Sequence, residues 1–310
     1  MKKSILLIVF TIFVGCILLS SCDKSNSEEP STEPNEAVFY TELAQSISNY
    51  DSNFAVKLPE VTRKGGKGFW SFFRNIGNAL CQVVVADVEG GAKGASAGHN
   101  FDKGGKITGA VVGAVIGGAA SSGVKIFDLI FGSKGNKADS LLNNKIPRPF
   151  SYKITGSNVG QLHNEILIEL LEKYETENIN LDEVTSERIC KDIVALTQNH
   201  FRSNSIELDQ KSMDELIRSS VEISNELSGL TKEQAIEHLR NCKYGKKEEM
   251  NLIADYFVKV LSIEDLNLRE QYATGYKEIV KESKIPEESK TMILGTTSTA
   301  VNSLNLWESR

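Results

Sequence analysis

The residues of this chain whose types could do chemistry are few and scattered. Gly94-Ala95-Ser96-Ala97-Gly98 has the GxSxG spelling of a nucleophile elbow, but that motif needs a strand before the serine and a sharp strained turn beneath it. The residues preceding Ser96 read as helix instead. A phosphate loop also fails, because Lys103 stands where the second glycine belongs and no GK[ST] follows. His99, His163, His200 and His238 show no ligand spacing, and no CxxC or Cys/His cluster accompanies them. The expectation is a chain that is not an enzyme, with no catalytic residue, metal or cofactor. Its acidic balance, a net charge of −6, leaves no footprint for nucleic acid.

One thiol does have chemistry written around it. Lys2 and Lys3 precede an apolar run from Ser4 to Leu19, closed by Leu19-Ser20-Ser21-Cys22. A charged start, a short apolar stretch and small residues at a cleavage point describe an export signal. The run falls short of the ~20 residues a membrane span needs. A cysteine directly after two small residues resembles the lipobox of bacterial lipoproteins. That resemblance implies a signal peptide over 1–21, diacylglycerol on Cys22, and a chain held by lipid on a bacterial outer membrane, facing outward. Once Cys16 is removed and Cys22 lipidated, Cys81, Cys190 and Cys242 remain. Three thiols cannot all pair within one chain.

Charge divides the remainder. Removing residues 1–21 takes two lysines and moves the net charge from −6 to −8. Asp23 to Val61 carries eight acidic and two basic residues, whereas Thr62 to Lys145 carries eleven basic and five acidic. A cationic middle between acidic flanks points to an anionic surface, or to acidic partners within the chain that hold the segment until needed. Residues 22–37 read as a lipidated acidic tether with two prolines, too polar to bury a core. Residues 38–68 hold an amphipathic stretch, Val38 to Ile47, and then the basic joint Thr62-Arg63-Lys64-Gly65-Gly66-Lys67-Gly68.

The most informative spacing is Gly105, Gly109, Gly113 and Gly117, with Gly90, Gly94 and Gly98 as a shorter series upstream. Residues four apart share a helix face, so each series makes a groove without side chains. Each glycine costs ~1 kcal/mol relative to alanine inside a solvated helix, so four are tolerated only if the groove is used. In membranes such faces let helices approach closely. No charge stands between Ile107 and Val124. The expectation over 69–135 is a cationic glycine-zipper helical hairpin turning near His99–Gly104, able to enter a bilayer as an oligomer. Ahead of it Lys64, Lys67, Trp70 and Arg74 stand among Phe69, Phe72 and Phe73. Cations beside aromatics suit a lipid surface.

Residues 62–132 resemble glycine-zipper bacteriocins, which join a cationic aromatic head to a GxxxG-rich helix. Together with the lipobox, they are similar to the proteolytically activated lipoprotein toxins of gut anaerobes. The resemblance implies display on the producer's own membrane, an activating protease cutting near Arg63 and Lys64, self-association, and permeabilisation of a target bilayer. An envelope lipoprotein whose zipper and helical part serve membrane packing or protein interaction is the competing expectation.

After a linker over 136–150, residues 151–310 read as an all-α domain. Helical periodicity runs over 161–174, 186–201, 212–227, 231–242, 247–261, 263–282 and 287–305. Ser212 with Glu215 and Thr231 with Gln234 fit capping boxes, and Pro286 before two glutamates fits a helix start. The fold class is mainly α.

Overall fold

The computed structural model describes residues 36–56, 67–97, 106–129, 159–180, 183–200 and 210–308, with backbone only for 67–76, 106–108 and 308. These residues form ten α-helices and no strand: α1 (Glu36–Ala55), α2 (Lys67–Ala97), α3 (Lys106–Phe127), α4 (Val159–Thr176), α5 (Ser186–His200), α6 (Gln210–Leu227), α7 (Lys232–Arg240), α8 (Lys247–Leu261), α9 (Leu266–Glu282) and α10 (Glu287–Glu308). Cys22, the tether to residue 35, Arg63, Lys64, Gly98, Gly105 and the linker over 136–150 lie outside the described residues.

The outer helices follow ordinary amphipathic logic. On α6, for example, Leu216, Ser220, Ile223 and Leu227 are buried on one stripe while Asp214, Arg218 and Glu222 face outward or sit at the rim. Thr231 caps α7, its hydroxyl accepting from the Gln234 amide at 3.3 Å while the Gln234 side chain accepts from the Thr231 amide at 2.9 Å. Asp265 caps α9 through the Leu268 amide at 2.9 Å. Pro286 stands just ahead of α10, as its missing amide hydrogen favours. The Ser212 capping expectation is corrected: α6 already begins at Gln210, and Ser212 lies inside it. The amphipathic stretch expected at Val38 to Ile47 is longer, continuing to Ala55 as α1.

Two helices depart from amphipathic logic. Every residue of α2 from Cys81 to Ala92 is buried, and so is every residue of α3 from Val112 to Phe127. A helix covered on all sides belongs to the centre of a large core or to a membrane. Here α2 and α3 share the most extensive helix contact among the described elements; α6, α7 and α10 pack on α2, and α4, α5, α6 and α10 pack on α3. One apolar cluster joins α2 to α1 and α7–α10, a second joins α3 to α4, α5 and α6, and the α2–α3 pair stands between them. All ten helices belong to one compact unit, Glu36–Arg310. The helices α2 and α3 therefore share their cores with the helices from α4 onward.

The unexpected member of this centre is α10, read from sequence as one more amphipathic helix. It packs on α2, α3 and α4 and buries Thr296, Thr297, Thr299, Asn302 and Ser303. Threonine satisfies its own hydroxyl there by donating to the carbonyl one turn back, Thr296 to Met292 at 2.7 Å and Thr299 to Gly295 at 3.0 Å. A helix of small, self-satisfied residues can approach its neighbours as closely as one of alanines.

Candidate functional site

The seam between α2 and α3 is built from backbone. A Cβ on Gly94 would fall inside the van der Waals envelope of the Gly113 carbonyl, and one on Gly90 would overlap the Gly117 carbonyl and the Ser121 hydroxyl. A Cβ on Gly117 would in turn strike the Gly90 carbonyl. The pairing runs in opposite directions along the two helices, so they are antiparallel. Gly90, Gly94, Gly113 and Gly117 are thus brought together; Gly109 lies further toward the start of α3, also buried. Beside the seam the missing side chains leave a cavity of about 50 Å³ against Ser212, Leu216 and Ser219 of α6. Lys93 stands at its edge, 3.8 Å from Glu215.

Position 118 shows how a second glycine face admits a third layer. A Cβ on Gly118 would lie 3.1 Å from the Asp87 carbonyl and 3.3 Å from the His163 ring. The space is used by a buried polar group. Asp87 on α2 meets His163 Nε2 of α4 at 3.0 Å, and its other oxygen accepts from Ser303 of α10. His163 Nδ1 faces Asn164 Oδ1 at 3.0 Å, while Asn164 Nδ2 donates to the Asn302 carbonyl at 3.0 Å. With Asn164 Oδ1 set as an acceptor, both imidazole nitrogens face oxygen acceptors, an arrangement that favours the protonated ring. Burial alone would lower the pKa of this histidine. The Asp87 charge and the hydrogen bonds from Asp87 and Asn164 outweigh that effect and hold it above the ordinary value.

Two further polar ties bind the hairpin to the helices around it. On α3, Lys125 is fully buried, and its Nζ donates to Ser228 Oγ at 2.8 Å, Asp128 Oδ2 at 3.0 Å and the Ser224 carbonyl at 3.1 Å. On α2, a stripe at helical spacing meets α7 and the turn before it. Asn78 accepts from the Lys232 amide at 3.1 Å, Gln82 donates to the Leu230 carbonyl at 2.8 Å, and Glu89 meets His238 at 3.0 Å. The Glu89 hydrogen bond raises the His238 pKa, against a smaller desolvation effect. Cys81, Cys190 and Cys242 are buried free thiols. Burial pushes the first two up to about 12, leaving them protonated and unreactive at neutral pH.

Lys67, Trp70 and Arg74 belong to the first turns of α2 by backbone. Ser96 is exposed within α2 and has helix before it, so the elbow geometry is not formed there. The polar partners of α2 escaped the sequence reading because each lies far along the chain; only the placement of Asp87 and Glu89 in an otherwise uncharged stretch from Leu80 to Ala92 signalled them. Comparison of the chain with protein-family models, with curated proteins and with solved structures finds no match.

Proposed function

We propose that this chain is a lipid-anchored antibacterial toxin of the bacterial outer membrane, carrying its membrane-active hairpin in a caged form that proteolysis opens. The observation that carries this reading is the burial of α3. Its Gly109–Phe127 window is long and apolar enough to cross a bilayer, and 94% of it is covered by the chain's own helices. Freed of that cover, two helices already seamed by glycine would keep their mutual packing in lipid, where small faces serve best. Lys64, Lys67, Trp70 and Arg74 would engage the lipid surface, and self-association would complete a pore.

A single cut at Arg63 or Lys64 would separate the body from the lipid on Cys22 and from α1. That helix packs mainly on α9, with Tyr40 reaching Glu249 and Ser289 at 2.9 and 2.8 Å. The cover over α3, made by α4, α5, α6 and α10, would stay in place. Opening it requires a second cut after α3, within 136–150.

Dye leakage from anionic vesicles, measured before and after limited trypsin treatment with mass spectrometry of the fragments, tests the reading. Intact protein should leave vesicles tight, and leakage should follow the appearance of a fragment ending within 136–150. That fragment forming over tight vesicles would overturn it.

The competing reading, a non-enzymatic envelope lipoprotein acting through protein interaction, draws on Asp87, Glu89 and Lys125. All three are satisfied by surrounding helices, and an aspartate or lysine costs ~2.5–3.5 kcal/mol at the centre of a membrane helix. On this reading the hairpin never leaves, and trypsin releases no leakage at all.

A further inference from the structure

Glu89, Glu226 and His238 come from three different helices, α2, α6 and α7, and their ligand atoms all lie within 4.8 Å of one another. His238 Nε2 is 3.0 Å from Glu89 Oε2 and 3.6 Å from Glu226 Oε2. Oxygen and nitrogen ligands at ~2.0–2.2 Å around a tetrahedral zinc ion stand about 3.4 Å from each other, so these separations bracket what such an ion needs. We propose that Glu89, Glu226 and His238 form a site for a divalent transition-metal ion of the zinc type, which staples the hairpin to the helices covering it.

The chemistry of the surroundings favours a dication. The Glu89 side chain is only 3% exposed, and the two carboxylates together bring two negative charges. The nearby lysines are engaged elsewhere, Lys243 with Glu222 at 3.0 Å and Lys93 with Glu215 at 3.8 Å. A bound metal would replace the proton that His238 otherwise places between the carboxylates, releasing it to solvent. An entry path exists too, since the His238 and Glu226 side chains are 26% and 42% exposed. A nitrogen ligand selects a zinc-type ion over magnesium or calcium, which prefer all-oxygen shells. Three protein ligands leave a fourth position for water. The assignment does not rest on the membrane reading, because a staple serves equally a hairpin that never leaves.

The test uses the full chain in detergent, stripped with chelator and titrated with zinc chloride in competition with a chromophoric chelator, while melting temperature is followed. One zinc per chain should bind and raise the melting temperature; magnesium chloride should do neither. His238→Asn and Glu226→Gln, both at partly exposed positions, should each weaken zinc binding at least ~10-fold, since even supporting residues of metal sites carry effects of that size. His200→Asn serves as the control. It removes a plain His200–Glu169 pair of 2.9 Å and should leave zinc binding unchanged. Absence of saturable one-to-one binding overturns the site, as does binding that survives the His238→Asn, Glu226→Gln double variant.

Discussion

The Asp87 carboxylate and the His163 imidazole stand 76 positions apart in the chain and 3.0 Å apart in space, with neither side chain exposed. Removing one partner leaves the other charge buried without compensation. Asp87→Asn and His163→Leu should therefore each lower unfolding free energy by about 3–5 kcal/mol, and the double variant by much less than their sum. Urea denaturation followed by circular dichroism measures this. Additive losses would show that the pair does not act as a unit.

The same pair gives stability a direction with pH. His163 and His238 both titrate above their ordinary value of 6.5 in the fold, so each favours the fold when protonated. Their contributions are complete below that value and are lost as pH rises through the folded pKa. The urea midpoint should fall as pH climbs from about 6.5 into the alkaline range. His238→Asn, at a partly exposed position, should flatten part of that slope.

Glycines of the α2–α3 pair should respond oppositely to one added methyl, according to what each faces. Gly94→Ala and Gly117→Ala push a Cβ into facing backbone, which cannot move aside, and should destabilise by about 1–3 kcal/mol or more. Gly77 on α2 has nothing within 4 Å of its Cβ position, so Gly77→Ala should stabilise by up to ~1 kcal/mol. Thermal melts of the three variants decide the matter. A stabilising Gly94→Ala would mean that the seam is not closed.

A covalent lock tests whether the hairpin must leave its cover to act. Ser121 of α3 and Ser220 of α6 have hydroxyl oxygens 3.4 Å apart, within reach of a disulfide. In a Cys190→Ala background, which removes the thiol beside Ser220, the Ser121→Cys, Ser220→Cys protein should fail to leak vesicles after trypsin. Reductant should restore leakage. Equal leakage in both states would mean that α3 acts without parting from α6.

Much of the helical layout was legible because the 3.6-residue period over 186–201, 212–227 and 247–261 returns as α5, α6 and α8 with ends moved by at most two residues. The shared face of Gly90 and Gly94, and that of Gly113 and Gly117, follows from the same period, since a spacing of four keeps residues on one side of a helix. What stayed hidden was the third neighbour. Nothing between Thr291 and Trp307 is charged, a sign of all-round burial, but its threonines and asparagines read as surface until their hydroxyls and amides are seen bonded inward. Arg269 misleads similarly: it is 1% exposed, with its guanidinium spent on the carbonyls of Val260 and Ile263 and on Asn305. Periodicity reports which face is apolar; it carries no information about which distant carbonyl will neutralise a buried donor.

Because α10 lies against both α2 and α3, the order of synthesis matters. About 160 positions separate the end of α3 from the start of α10, roughly 10–30 s of translation at ~5–20 residues per second. Throughout that interval the nascent chain presents α3, the one helix among the described residues long and apolar enough to cross a bilayer, without α10 against it. Until α10 is made, the apolar surface it covers on α2 and α3 stays open to misassembly.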